Sequence, residues 1–207
     1  MTTKMIDAIT VDRDTIYKGS ARVVQRASTT VPVKLEDIMN PGTYALASGF
    51  LDVGGTNEDG VTITRTANLS DGIVVDQRRT ALDKGEPETW EMGAECTLLN
   101  TTYQNLVTAL EFGWVTALGT AGGRVAQHMV AIDAPSSFTE RQFAFIQEDP
   151  ATSHCRAWWF RSAVPAVDGE LALKSTEATG VPLKLTINTD PNVDEGDGQF
   201  GLYFEAD

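Results

Sequence analysis

One amphipathic strand that runs straight into one amphipathic helix constrains this fold more than any other feature of the sequence. The segment, residues 87–112, reads PETWEMGAECTLLNTTYQNLVTALEF. In its first half every second residue is apolar, and this series is Trp90, Met92, Ala94, Cys96 and Leu98. A period of two places alternate side chains on opposite faces of a sheet, so we predict a half-buried strand over Pro87–Leu98.

The second half of the segment has helical periodicity. One apolar stripe at the i, i+3, i+4, i+7 spacing is formed by Tyr103, Leu106, Val107 and Leu110. The hydroxyl of Thr101 or Thr102 can cap the first turn, and Gly113 suits the position just after the last turn. The sequence therefore predicts one helix, at about residues 102–112.

The rest of the chain alternates strand patterns with turn residues. We expect Val61, Ile63 and Arg65 on one face of a strand and the intervening threonines on the other, after a turn at residues 57–60. The polar stretch at about residues 67–88 predicts a long inter-strand loop, and loops of this length are often functional. The fold class we predict is mainly β: a β-sandwich or partial barrel with one flanking helix, forming a single domain over residues 1–207.

Composition limits the classes of function. Of the 207 residues, 42% are hydrophobic and 22% are charged, as in an ordinary globular domain. The net charge of −13 repels phosphate groups, which argues against a nucleic-acid binder of the usual kind. It does not argue against a protein that DNA passes without binding.

Cysteine content and the start of the chain indicate a reducing compartment. The two cysteines, Cys96 and Cys155, both fall in predicted strands, which favours buried free thiols over a disulfide. The first residues, MTTKMIDAITVDRD, lack the apolar region of a secretory signal, and no stretch is apolar enough to span a membrane. We expect a protein that is soluble and cytoplasmic when it is made.

No pattern in the sequence predicts catalysis, a metal or a cofactor. His154 and Cys155 lack further ligands at zinc spacing, and the loop at 119–123, GTAGG, lacks the lysine of a phosphate-binding loop. The acids at 194–197 lack the longer ligand series of a calcium loop. Glu91 and Glu95 fit the polar face of a sheet better than a glycosidase pair. Trp158 and Trp159 point to opposite faces of their strand, so one is expected in the core and the other is a candidate interface anchor.

The order of these features resembles the major tail tube proteins of long-tailed, siphovirus-type bacteriophages, particularly those that infect actinobacteria. The resemblance covers about residues 34–192. It rests on LEDIMNPGTYALASGFLDVGGTNEDGVTITR, a polar excursion, and ETWEMGAECTLLNTTYQNLVTALEFG. The later segments RAWWFRSAVPAVDGELAL and VPLKLTINTDPN are similar to the closing strands of that family.

The resemblance implies a structural virion protein without catalytic residues, metal or cofactor. Six copies would form a ring, and stacked rings would form the hollow tail tube through which phage DNA passes from capsid to host cell. Residues 67–88 would be an inter-ring loop. Outside the matched range, we expect residues 1–20 to form an N-terminal arm and residues 193–207 a C-terminal strand or arm. The implied partners are further copies of the chain, the tape measure protein, the tail terminator and the baseplate or distal tail protein. Assembly would occur in the host cytoplasm, and the final location would be the virion tail.

Two sets of residues follow as candidates for these roles. Glu91 and Glu95 are expected to face the lumen, where carboxylates would repel DNA; the alternative is the outer solvent face. The candidate inter-ring loop contacts are Asp76, Arg78, Arg79, Asp83 and Lys84. Their candidate acidic partners on an adjacent subunit are Asp194, Glu195, Asp197, Glu205 and Asp207.

Two other classes of protein remain open. A tail terminator or capsid decoration protein would form closed rings or trimers that do not polymerise. A stand-alone β-sandwich that binds carbohydrate would stay monomeric and would need an exposed aromatic platform.

Overall fold

A computed structural model describes most strand-forming parts of the chain. The described residues are 21–69, 74–75, 80–81, 87–99, 102, 107–108, 115–119, 127–131, 139–149, 154–165, 180–194 and 196–206. The strands are β1 (Arg22–Arg26), β2 (Leu51–Leu69), β3 (Val74–Val75), β4 (Thr80–Ala81), β5 (Pro87–Leu98), β6 (Val115–Gly119), β7 (Gln127–Val130), β8 (Arg141–Asp149), β9 (His154–Pro165), β10 (Val181–Asn188) and β11 (Gly201–Ala206). A short 3₁₀ turn occupies Leu35–Asp37.

A seven-stranded antiparallel sheet forms the framework, in the order β10-β5-β2-β1-β8-β9-β11. The last part of β9 also pairs with β10, from Pro165 opposite Leu185 to Ser162 opposite Asn188. This pairing curls the sheet round so that its strands other than β11 form a partial barrel. Separate two-stranded ladders join β3 to β4 and β6 to β7. The predicted fold class, a mainly β sandwich or partial barrel, is confirmed.

The interior of the barrel is filled by alternate residues of its strands, because successive side chains of a strand point to opposite faces. Phe145 and Phe160 meet edge to face in this core, with ring centroids 5.9 Å apart. The buried residues of this core are Val23, Val53, Ala94, Leu98, Phe143, Phe145, Phe160, Ala163, Val181, Leu183, Leu185 and Ile187. All four inward residues of β10 belong to this set, as expected from the alternation of apolar and polar residues along this strand.

A second core covers the outer face of β1, β8 and β9. The chain before β2 folds over these strands, and the turn at Leu35–Asp37 is held by the Asp37 carboxylate, which accepts a hydrogen bond from the Val33 amide at 2.9 Å. The buried residues of this core are Val24, Leu35, Ile38, Met39, Phe50, Ala144, Ile146, Cys155, Ala157 and Trp159. Burial on both faces makes β8 nearly continuously apolar from Phe143 to Ile146.

The strand prediction for Pro87–Leu98 is confirmed in its bounds and in its faces. Ala94 and Leu98 are buried, Met92 and Cys96 pack against the inner core, and Glu91 and Glu95 are exposed on the opposite face. Of the predicted helix at 102–112, positions 107 and 108 are helical and most of the others lie outside the described residues. Thr108 is buried, and its hydroxyl accepts a hydrogen bond from Gln25 of β1 at 2.8 Å.

The predicted turn at residues 57–60 is wrong, because β2 continues through it as a single 19-residue strand. The register with β5 shifts between Thr56 and Val61, so these residues form a bulge in the strand and the chain does not reverse there. Gly60 makes the bulge possible, since its φ of +71° is a conformation that other residues rarely adopt. Beyond the bulge, Val61 and Ile63 pack against the inner core, as predicted.

The strands extend into both ends of the predicted 67–88 loop. Asn68 lies opposite Thr89 and Leu69 opposite Pro87, and farther out Val74 pairs with Ala81. The strands continue into this polar stretch because polar side chains can pair across the ladder. The Asn68 amide donates a hydrogen bond to the Thr89 hydroxyl at 3.0 Å. The predicted 1–20 arm lies outside the described residues, and the predicted C-terminal segment contains β11.

Replacing Gly201 with alanine is expected to destabilise the protein. Gly201 lies opposite Phe160 where β11 begins, and an added Cβ would overlap the backbone carbonyl oxygen of Trp159. Gly201→Ala should therefore lower the free energy of unfolding by about 1–3 kcal/mol, the usual cost of overpacking. Urea denaturation checks this, with Gly42→Ala as the control, because the nearest atom to a Cβ at Gly42 is 3.5 Å away. Equal stability of the two variants would contradict the prediction.

Candidate assembly surfaces

The first candidate surface is the polar face of β2, β5 and β10, which points away from the barrel interior. Its residues lie in rows across the three strands: Thr62, Glu95 and Lys184 form one row, and Thr64, Gly93 and Thr186 form the next. Thr66 lies opposite Glu91 one step farther along. We call these residues the polar face. Gly93 has no side chain, so it leaves a depression in the middle of the polar face. Thr64 and Thr186 lie on either side of this depression.

Both predicted lumen acids lie on the polar face, and both have partners. The Glu95 carboxylate is 3.2 Å from the Lys184 ammonium, with both side chains about half exposed. The Glu91 carboxylate accepts a hydrogen bond from the Asn68 amide at 3.0 Å. At the edge of the same region, Glu140 accepts a hydrogen bond from Ser162 at 2.9 Å. The face is therefore polar and mildly acidic, and whether it lines a lumen stays a prediction.

The second candidate surface is a two-stranded arm. β10 pairs with β5 only from Leu98 back to Met92, and β1 pairs with β2 only between Leu51 and Gly55. Among the described residues, no third strand therefore pairs with residues 65–69 of β2 or 87–91 of β5, which we call the arm. Most described arm side chains are exposed, including Leu69 at 62%. An isolated two-stranded ribbon is marginally stable in water, so the arm is a segment that a neighbouring surface would stabilise.

The third candidate surface is an open cavity of about 400 Å³ between the arm and strands β9 and β11. Its residues include Arg65, Trp90, Met92, Trp158, Phe160 and Tyr203, and we call it the aromatic cleft. Trp90, Trp158 and Tyr203 are each about 40% exposed. The Trp158 and Tyr203 ring centroids are 4.8 Å apart with a tilt of 51°, and the Arg65 guanidinium lies 4.0 Å from the Trp90 ring centroid.

The prediction for the two adjacent tryptophans is confirmed. Trp159 is fully buried in the outer core, with the Arg161 guanidinium 5.4 Å from its ring centroid, whereas Trp158 is exposed in the aromatic cleft. The sequence did not indicate that Trp90 and Tyr203 would join Trp158, because only the order of the strands in the barrel brings them together. Burial and the nearby Glu205 raise the pKa of Tyr203.

The predicted contacts between the loop and the acids are not tested, because all five loop candidates lie outside the described residues. Asp194 and Asp197 lie in an exposed turn after β10, where the Asp197 amide donates to the Asp194 carbonyl at 3.1 Å, and Glu205 is exposed on β11. The remaining candidates lie outside the described residues; they are Asp76, Arg78, Arg79, Asp83, Lys84, Glu195 and Asp207. Their pairing across subunits stays a prediction.

The geometry gives little support to a metal site at His154 and Cys155. Cys155 is buried in the outer core, and the adjacent His154 points to the other face of β9. Within the described part of the chain, no three histidine, cysteine or acidic side chains are grouped as a metal ion would require. In the same ranges, no helix has the length and apolar character needed to cross a bilayer.

No protein-family model matches the chain, and the search of curated proteins found no significant relative.

Both cysteine thiols are expected to react slowly with alkylating agents in the folded protein. They are not joined in a disulfide, and burial raises the pKa of Cys96 to about 12 and that of Cys155 to about 11. Since the thiolate is the reactive form, labelling by iodoacetamide at pH 8 should be much slower in the native protein than in urea. Mass spectrometry of timed samples measures both rates, and rapid native labelling of Cys96 would contradict the expectation.

Proposed function

We propose that this chain is the major tail tube subunit of a long-tailed bacteriophage that infects actinobacteria. It would assemble as homohexameric rings that stack into a hollow tube for the passage of phage DNA. Its role would be structural, located in the virion tail after assembly in the host cytoplasm. The tape measure protein, tail terminator and distal tail protein would be its partners.

The observation that carries this proposal is the long unpaired edge of β2. Over residues 61–69, β2 has β5 on one side and no strand on the other among the described residues. An edge of this length exposes backbone donors and acceptors that recruit another chain, and soluble monomers usually block such edges. Pairing of this edge with a neighbouring copy would extend the sheet, and repetition of a head-to-tail contact gives a ring.

The polar face supports the same proposal. If sheets join through β2, the rows on β2, β5 and β10 become one continuous surface on the ring. Hydroxyl groups hold water and carry no charge that would bind phosphate, and Glu91, Glu95 and Glu140 outnumber Lys184 there. A wall of this kind would let DNA slide past without adhesion.

A second candidate function is carbohydrate binding, which the aromatic cleft favours. Exposed tryptophan and tyrosine rings with a polar rim resemble a ligand site at the mouth of a barrel, and a cavity of about 400 Å³ lies within the size range of such sites. This reading explains the aromatic cleft but leaves the long edge of β2 without a role. We therefore place it second.

Electron microscopy of the purified protein tests the proposal. Negative staining of the concentrated protein should reveal hollow tubes with a regular axial repeat. Closed rings that never stack would favour a terminator or decoration protein. Particles that stay monomeric at every concentration, and also in the presence of short tube fragments as seeds, would reject self-assembly and favour the carbohydrate-binding module.

Reversing one charge on the polar face should make the tubes bind DNA. Glu91→Lys removes a carboxylate and adds an ammonium at every subunit, so the ring would carry a band of ammonium groups at this position, facing the lumen. Tubes of this variant should retain double-stranded DNA at low salt and release it steeply as salt rises, because phosphate contacts release counterions. Filter binding measures this retention. Glu36→Lys is the control, since Glu36 is exposed beside the outer core; equal retention by both variants would contradict a lumenal polar face.

A further inference from the structure

The aromatic cleft has the composition of a protein–protein hot spot. Tryptophan, tyrosine and arginine are the residues that most often dominate binding energy, and methionine is also enriched in interfaces. Trp90, Trp158, Tyr203, Arg65 and Met92 all line this one cavity. The three aromatic side chains are each about 40% exposed, so each could bury further area on contact with a partner.

We propose that the aromatic cleft is a socket for a second copy of this chain. The inference rests on the proposed self-assembly and assigns it a specific site, distinct from backbone pairing at the β2 edge. Residues of the second copy would insert between the arm on one side and strands β9 and β11 on the other. The arm wall carries Arg65 and Trp90, and the opposite wall carries Trp158 and Tyr203.

Charge complementarity identifies the occupant. Among the described residues that line the cleft, Arg65 is the one with a charged side chain. Its guanidinium lies over the Trp90 ring, where a contact would exclude water from it. A second copy presents a strongly acidic surface, because the chain has 29 acidic and 16 basic residues. An acidic patch of that copy placed against Arg65 would pair with a cation that is already oriented by the ring.

The same charge determines the geometry of the contact. Two clefts facing each other would bring two Arg65 guanidinium groups together, which is repulsive. The cleft of one copy must therefore meet a different, acidic surface of the next copy. Such a head-to-tail contact propagates, and it closes into rings or extends into filaments according to its rotation.

Occupation of the cleft would also order the arm. The arm forms one wall of the cleft, and no third strand pairs with it among the described residues. A neighbour seated against Trp90 would bury the inner side of the arm and supply the contacts that a two-stranded ribbon lacks. Assembly and ordering of the arm would then be one coupled event.

Assembly of variants tests the socket. Trp90→Ala and Trp158→Ala should each raise the protein concentration needed for tube formation by roughly tenfold or more, the loss expected at a hot spot. Arg65→Glu should raise this threshold concentration as well, without removing an aromatic ring. It replaces an alanine variant as the test if circular dichroism shows that the alanine variant does not fold. Val33→Ala is the control, since Val33 is 81% exposed outside the cleft. Light scattering and electron microscopy measure the threshold.

Hydroxyl-radical footprinting of the wild type provides the second readout. Trp90, Trp158 and Tyr203 should be oxidised in the unassembled protein and protected several-fold in tubes, whereas Val33 should change less. The socket would be overturned, and the proposed function left standing, by three results together. Wild type forms tubes, every cleft variant assembles at the wild-type threshold concentration, and the three rings are not protected in the tubes. Wild type that never assembles would overturn both. Normal assembly together with glycan binding that Trp158→Ala abolishes would assign the cleft to carbohydrate and reject the socket.

Discussion

The register of β5 between β2 and β10 is the constraint on which the rest of the structure depends. Because Ala94 lies opposite both Ile63 and Leu185, the apolar residues of three strands enter the barrel together. The same register sets Glu95 beside Lys184 on the other side of the sheet. A slip of one residue would exchange the two faces, placing carboxylates in the core. The register that packs the interior therefore also determines which side chains lie on the polar face. A change of register would alter both faces of the sheet together.

The ladders that close the barrel do not extend to the far ends of β2 and β5, and this has a direct structural cause. β10 is an eight-residue strand and β5 has twelve residues, so β5 continues past the end of its partner at Met92. β2 continues with it for the same reason, since β1 covers only its first residues. Two strands thus leave the barrel as the arm, and the gap beside them is the aromatic cleft. The unpaired edge and the exposed rings are two consequences of one mismatch in strand length.

Short-range patterns predict the bounds and faces of Pro87–Leu98, but they do not predict the continuity of β2 or the contacts between distant strands. Alternation determined the faces of Pro87–Leu98, as well as the separation of Trp158 from Trp159. Asn, Asp and Gly at 57–60 favour a turn, but a continuous strand can use the same glycine to form a bulge. The pairing of Glu95 with Lys184, and the meeting of Trp90 with Tyr203, depend on strand order and register. No local pattern encodes these two quantities.

Net charge limits how copies of this chain can adhere. A charge of −13 on each copy opposes association at long range, so attraction must come from contacts that act at short range. Backbone pairing along β2 and burial of aromatic rings are both of this kind, and neither is weakened much by salt. The repulsion, in contrast, is screened beyond about 8 Å at physiological ionic strength. The proposed self-association should accordingly become stronger as salt rises, whereas an interface held mainly by complementary charges would become weaker.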